Sequence, residues 1–371
     1  MKWRYLILAL FAVGFVSTTA QAEEGLELGG NVTTFFGWQK NDSNALGTTV
    51  GGIPERGVGT ANRDTFNFYL DEVELSIQKS WGDKVRIRAD LDFGSAALGS
   101  NFSDFAASTA FVLEQGYIGF NILDAEIIVG RFNIPMGVCY VDRLNNVTIS
   151  YPMIYSLLPT NGTGIKLFWA VNDSFDMQIY IDNNIADTVS TAAGGGNGGV
   201  IPSGGFRLGY SWGDEDHRNS LGLSGHAGGQ LPSLMKHITF IGDIDLTWYI
   251  TDQFLLQAEG AYRQDNKVGA GKNNKAYAGL LTLDYSINDA WDVYLSYGYI
   301  HDWEGNLSAG GAGGFYTGAD QQVHSGTIGV GYDIAEGAKF RLEYRADYQL
   351  PAGAASNAFT HSALGSFSYA F

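Results

Sequence analysis

The chain has 371 residues, with 39 acidic against 22 basic side chains and a formal net charge of -17. That balance argues against a nucleic-acid partner, because phosphate backbones are met by basic surfaces. The single cysteine, Cys139, excludes an internal disulfide, and 50 glycines with 13% aromatics favour strands and flexible loops over helices.

The chain opens with Lys2 and Arg4, then the apolar run of residues 6–16, then Ala20-Gln21-Ala22 as a small-x-small cleavage site. This is the pattern of a secretory signal peptide. Residues 1–22 are therefore expected to be removed, leaving 23–371 as one folded unit. The apolar run falls short of the roughly 20 residues that span a bilayer. Cys139 of an exported protein is either a small buried apolar residue or an exposed thiol, and the first is favoured.

From there the chain alternates with period two. In Lys84-Val85-Arg86-Ile87-Arg88-Ala89-Asp90-Leu91-Asp92-Phe93 every odd position is apolar and every even one charged. Residues 339–348 repeat the rule with opposite parity. A strand places such charges on one face, whereas a helix would scatter them. The predicted strands are 26–39, 63–81, 84–93, 111–122, 125–132, 163–171, 175–183, 204–212, 219–228, 237–250, 253–265, 274–287, 290–302, 322–334, 338–348 and 359–371. Strands five, six and eight have the weakest patterns, and counts of fourteen to eighteen also fit. In strand two the apolar parity slips between Phe66-Phe68-Leu70 and Val73-Leu75-Ile77. This is expected either from a β-bulge near Asp71-Glu72 that re-aims those carboxylates, or from a strand continuing beyond the membrane.

Short turns alternate with long connections. The turns are Gly82-Asp83, Leu123-Asp124, Asn172-Asp173, residues 213–219, Thr251-Asp252, Asn288-Asp289 and residues 335–337. Asn, Asp and Gly suit such turns because they tolerate positive φ or bond their own backbone. Long loops on one side and short turns on the other are the plan of an antiparallel all-β transmembrane barrel. The mean hydropathy of -0.05 fits, because alternating strands average out. Trp38, Trp81, Trp169, Trp212, Trp248, Trp291 and Trp303 stand near strand ends, as membrane-interface aromatics do.

The charged face of each strand is expected to line the lumen. It carries Arg86, Arg88, Asp90, Asp92, Lys166, Asp176, Asp243, Asp245, Glu259, Lys339, Arg341, Glu343, Arg345 and Asp347, with Arg263, Asp182, Asp284 and Asp292 on the same parity. Charges of both signs on a wall are costly to desolvate, which implies a wet lumen. Acidic residues outnumber basic ones on this face, so a mild cation preference is expected. The longest connection, 133–162, carries Pro135, Tyr140, Asp142, Arg143, Tyr151 and Tyr155 among many apolar residues. It is expected to fold into the lumen and narrow it, the alternative being packing on the rim or on a neighbouring subunit. Arg86 and Arg88, joined by Lys166, are expected to face Asp142 across the narrowest point.

Little speaks for catalysis. His217, His226, His237, His301, His324 and His361 form no HExxH or close Cys/His set, so neither a metal site nor a cofactor is expected. His301 and His324 are expected near one another at the outer rim. The GxGxxG match at 194–199 follows no strand and opens no helix.

The C-terminal residues Phe367, Tyr369 and Phe371 share one strand face. This end resembles the C-terminal signal strand of Gram-negative outer-membrane proteins, which implies recognition of Phe371 by the barrel-insertion machinery. Residues 70–75, 86–94, Leu113-Glu114-Gln115-Gly116-Tyr117, 130–137, 162–167 and Asp182-Asn183-Asn184 resemble the OmpL-like porins of the beta-barrel porin-2 group. The resemblance is clearest over residues 60–185. It implies an outer-membrane porin that passes small hydrophilic solutes and touches lipid, and the habit of sixteen-stranded porins implies a homotrimer. The rival roles are an outer-membrane enzyme, an adhesive or structural barrel, and a sheath around a partner such as an electron carrier.

Overall fold

The computed structural model describes residues 25–41, 64–94, 111–183, 202–214, 217–229, 238–268, 272–303, 320–351 and 357–371. The expected signal segment 1–22, the 194–199 glycine run, His237 and most of the long loops other than 133–162 lie outside the described residues. Sixteen strands are present: β1 Leu26–Asn41, β2 Asp64–Trp81, β3 Val85–Gly94, β4 Phe111–Ile122, β5 Ala125–Asn133, β6 Asn161–Ala170, β7 Phe175–Asp182 and β8 Ser203–Trp212. They continue as β9 Asn219–Gly229, β10 Ile238–Thr251, β11 Phe254–Val268, β12 Lys272–Asn288, β13 Trp291–Asp302, β14 Gln321–Ala335, β15 Ala338–Pro351 and β16 Ala358–Ala370. Each strand pairs antiparallel with its chain neighbours, and β1 pairs with β16 to close the barrel.

Alternation decides which face goes where. On β10 Phe240 and Ile244 are exposed while Asp243 and Asp245 are buried. On β15 Leu342 and Tyr344 are exposed while Arg341, Glu343, Arg345 and Asp347 are buried. In an apolar solvent the exposed parity is the stable outer surface, and the polar parity turns inward. Trp81, Trp169, Trp248 and Trp291 are exposed beside the short turns, together with Phe367, Tyr369 and Phe371. Amphipathic rings at that height suit a membrane–water boundary.

Side chains close the turns. Asn172 Oδ1 accepts from the N–H groups of Ser174 and Phe175, each at 2.9 Å. Asn288 Oδ1 accepts likewise from Ala290 at 2.9 Å and Trp291 at 3.1 Å. Closure of the barrel continues to the final residue. The N–H of Phe371 donates to the Gly30 carbonyl at 3.0 Å, and the Gly30 N–H returns a bond to Phe371 O at 3.2 Å.

The parity slip in strand two is a bulge. Thr33 pairs with Glu72 and Thr34 with Leu70, so Asp71 is the extra residue. A second bulge lies in β4, where Asp90 pairs with Gln115 and Leu91 with Leu113, leaving Glu114 over. The two bulges flank β3 and put Asp71, Glu72 and Glu114 on the buried side.

The face assignment has a direct test. Ile244→Arg puts a cation on the outer face of β10 and is expected to cost about 2–4 kcal/mol at mid-bilayer depth. Urea unfolding of the protein in lipid vesicles reads this loss. A neutral substitution would mean that Ile244 does not face lipid.

Candidate functional site

The inner face is crossed by ion pairs that skip a strand. Arg86 of β3 holds Glu126 of β5 by two bonds, Nε–Oε1 at 2.6 Å and Nη2–Oε2 at 2.7 Å. Gly119 of β4 lies beneath them, where an added Cβ would collide with the Glu126 carboxylate. Arg207 of β8 holds Asp245 of β10 at 2.5 Å over Gly222 of β9. Lys339 of β15 holds Asp292 of β13 at 2.7 Å, and Gly331 of β14 lies under that carboxylate. Pairs along a strand add to these: Arg88–Asp90 at 2.8 Å, Arg263–Asp265 at 3.1 Å and Arg345–Asp347 at 3.0 Å. Asp176 lies over Gly209, and Asp182 accepts from the Ser203 hydroxyl.

Residues 134–160 contribute no strand but touch the inner face at many points. Two short 3-10 turns, Arg143–Asn145 and Met153–Leu157, give the segment its only regular structure. Its backbone is satisfied by wall charges. Gly137 N donates to Asp243 at 3.1 Å and Val138 N to Glu259 at 2.9 Å. Glu343 accepts from Ile149 N at 2.7 Å, Ser150 N at 3.2 Å and the Ser150 hydroxyl at 2.5 Å. Arg341 donates to the Asn146 carbonyl at 2.6 Å, and Arg345 to that of Tyr151 at 2.7 Å. The Pro135 carbonyl accepts from Ser224 at 3.2 Å.

Apolar contacts fix the rest of the segment. Val138, Met153, Ile154 and Leu157 pack on Ala261, Ala276, Ala278, Leu280, Ile300 and Val323 of β11–β14. The alanines leave a recess that the larger segment side chains fill. Each such burial contributes roughly 1.5–3 kcal/mol. Ile149 packs with Phe35 of β1 and Leu364 of β16. Arg143 is buried, lies 3.0 Å from Asp71 and stands 4.1 Å over the Tyr151 ring, which stacks on Tyr155 at 4.3 Å. Tyr140 is exposed, and its backbone is bonded to the Asn146 side chain. Cys139 is half-buried against the first of these clusters, and burial raises its thiol above the usual range.

The expected meeting of Arg86 and Arg88 with Asp142 does not occur. Both arginines are committed to Glu126 and Asp90, and Lys166 donates to the Asn133 carbonyl at 3.3 Å over the Phe132 ring. Asp142 stands instead among carboxylates, in a group with Glu72 and Glu74. Burial, reinforced by Glu114, raises its carboxyl to about 7. Arg207, Glu126, Glu114 and Glu74 were not among the expected lining residues, whereas Glu72 was expected as a carboxylate re-aimed by a bulge. Arg207 was legible, since it alternates with the outward Phe206, Leu208 and Tyr210. Glu126 was not, because Ile128 shares its face, and Glu114 sits on a bulge.

Among the histidines, His226 is buried against the Tyr180 hydroxyl at 3.0 Å. His301 bonds Asp320 at 2.6 Å and the Tyr277 hydroxyl at 3.2 Å. His324 lies beside Tyr299, one rung from His301, and bonds the Tyr297 hydroxyl at 2.7 Å.

Comparison with known proteins agrees with this architecture. A family model described as "Putative beta-barrel porin-2, OmpL-like" matches residues 25–370. No curated protein matches the chain. Among solved structures, the outer membrane channel DcaP of Acinetobacter baumannii aligns with a TM-score of 0.63 at 11% identity, covering 93% of this chain and 97% of that one. An anion-selective porin from Comamonas acidovorans aligns at 0.61 and 12%, covering 93% and 99%. A trimer form of OmpT, an outer membrane protein of Vibrio cholerae, aligns at 0.57 and 11%, covering 93% and 99%. At these identities the likeness shows the fold alone, whereas the family match spans nearly the whole chain: the protein belongs to the OmpL-like beta-barrel porin-2 family of outer-membrane barrels.

Proposed function

We propose that the protein is a passive diffusion pore for small hydrophilic solutes and ions, narrowed by residues 134–160 and mildly selective for cations. The observation that carries this reading is a sixteen-stranded barrel whose inner face is charged in both signs and is bonded to one long segment. A barrel of this size leaves an aqueous channel, and its charges need water. Residues 134–160 touch the inner face of both β10–β15 and β1–β2, which supports a constriction over packing on the rim. The apolar outer parity fits contact with outer-membrane lipid, and Phe371 at the closing seam fits the insertion signal. A homotrimer is the assembly proposed, in line with the trimer form of a structural neighbour.

The cation preference rests on pairing. Arg86, Arg88, Arg207, Arg263, Arg345 and Lys339 each hold a carboxylate. Glu72, Glu74, Asp92, Glu114 and Asp142 hold no basic partner at ion-pair distance among the described residues. Acidic groups also outnumber basic ones on the inner face, and such an excess acts over a Debye length of about 8 Å at physiological salt.

Planar-bilayer recording of the pure protein is expected to show stepwise openings. A folded but silent barrel would overturn the pore reading. Reversal potentials in a salt gradient should report cations. A wild-type anion preference that is lost in Arg86→Ala/Arg88→Ala would reverse the assignment. Selectivity should also weaken as pH falls through about 7, where Asp142 gains its proton and loses its charge. Asp142→Asn is expected to blunt that pH step, and an unchanged step would assign it to another group.

Glu343 tests the constriction. Glu343→Gln turns one acceptor into an NH2 donor among three donors of residues 149–150. A loss of about 1.5–3 kcal/mol in urea unfolding is expected, with larger and noisier single-channel steps. An unaltered conductance would remove residues 134–160 from the narrowest point.

A further inference from the structure

Five carboxylates from four separate stretches of chain meet on one patch of the inner wall. Glu72, Asp92 and Glu114 each bring an oxygen within 4.8 Å of the other two, and so do Glu72, Glu74 and Asp142. Glu72 belongs to both groups. The β2 and β4 bulges turn Glu72 and Glu114 toward β3, which carries Asp92 between them. Asp142 arrives from residues 134–160.

The hydrogen bonding of these groups is incomplete. Glu74 is fully engaged, accepting from Asn31 Nδ2 at 2.8 Å and from Ser76 Oγ at 2.5 Å. Glu114 accepts from Asn133 through Oε1 at 2.7 Å, and its other side-chain contacts are with the carboxyl groups of Asp92 and Asp142. Glu72 is 1% exposed, Glu114 3% and Asp92 5%. Yet Glu72 Oε2, Asp92 Oδ1, Glu114 Oε2 and Asp142 Oδ1 are buried with no N–H or O–H donor from outside the cluster among the described residues. The nearby guanidiniums are engaged elsewhere: Arg88 holds Asp90, Arg143 is beside Asp71, and Arg131 donates to the Glu114 backbone carbonyl at 3.0 Å. Buried anionic oxygens with no donor are costly unless a cation or protons sit among them.

We propose that Glu72, Asp92 and Glu114 form a site for a hard divalent cation of the calcium class, and that Asp142 joins it through Glu72. The donor set is all oxygen, which excludes soft, thiolate- or imidazole-seeking metals. Calcium accepts oxygen ligands at about 2.3–2.6 Å in irregular arrangements, so oxygens up to 4.8 Å apart can share one ion. Magnesium demands a near-ideal octahedron, which side chains fixed on three strands are poorly placed to supply. The bound ion ties residues 134–160 to β2–β4, across the barrel from the anchors Asp243 and Glu259 on β10 and β11.

Calorimetric titration of CaCl2 into chelator-treated, lipopolysaccharide-free protein in detergent tests the site without reference to conductance. One saturable event per chain is expected, abolished in Glu72→Gln/Asp92→Asn and weakened about 10–100-fold in Asp142→Asn. Asp142 lies outside the strands, so this second variant remains informative if the double variant fails to fold, and gel heat-modifiability checks the fold of each. Calcium that binds the variants as it binds the wild type would overturn the site. So would the absence of calcium binding together with a higher thermal midpoint in Glu72→Gln/Asp92→Asn, the result expected if shared protons neutralise the cluster.

Discussion

A peptide group in a hydrocarbon medium has no water to bond, and every feature of this barrel follows from that constraint. An open sheet would leave the outer edges of β1 and β16 unpaired, each lost bond costing several kcal/mol. Pairing runs from Asn31–Ala370 to Asn41–Thr360, and Phe371 extends it by two further bonds to Gly30. Closure fixes the pleat, and the pleat fixes which side chains meet lipid. The inner face is then mostly polar, with apolar patches where residues 134–160 pack against it.

A polar inner face brings its own cost, and the wall meets it with cross-strand pairs. Arg86–Glu126 and Arg207–Asp245 each vault one strand, and the strand beneath offers glycine at the crossing. A side chain there would lift the guanidinium off the wall and break the bidentate geometry that makes Arg–carboxylate contacts strong. The glycines of the inner face are therefore partly a steric consequence of its charges. The same rule explains Lys339–Asp292 beside Gly331, built on different strands from a different base.

Most of the barrel was legible in the sequence because its signals are local. Period two is read within ten residues, and turn asparagines such as Asn172 and Asn288 announce themselves. All sixteen strands begin and end within three residues of expectation. The Asp71 bulge was visible as a broken parity. Partner choice was not visible. Arg86 and Asp142 were expected to meet because both were assigned to the lumen, but alternation gives a face and no height or azimuth. The β4 bulge that lifts Glu114 inward is marked only by Leu113, outward on one parity while Ile118, Phe120 and Ile122 are outward on the other. The carboxylate cluster joins residues from 72 to 142 through four elements, and no spacing in the chain encodes it.

The charge a wall carries differs from the charge a solute meets. Residues 134–160 form little regular structure, so their N–H and C=O groups need partners from elsewhere. Asp243, Glu259 and Glu343 supply acceptors, and Arg341 and Arg345 supply donors. These five were expected to line the lumen. Instead they are buried beneath the segment they hold, with Arg341 and Arg345 each 1% exposed. Arg207 and Arg263 are neutralised by aspartates. Subtracting the ion pairs leaves carboxylates around Glu72 and Asp142, together with Asp176, Asp182 and Asp284 on other strands. The formal charge of the wall and the charge left after pairing are therefore different quantities, and only the folded arrangement separates them.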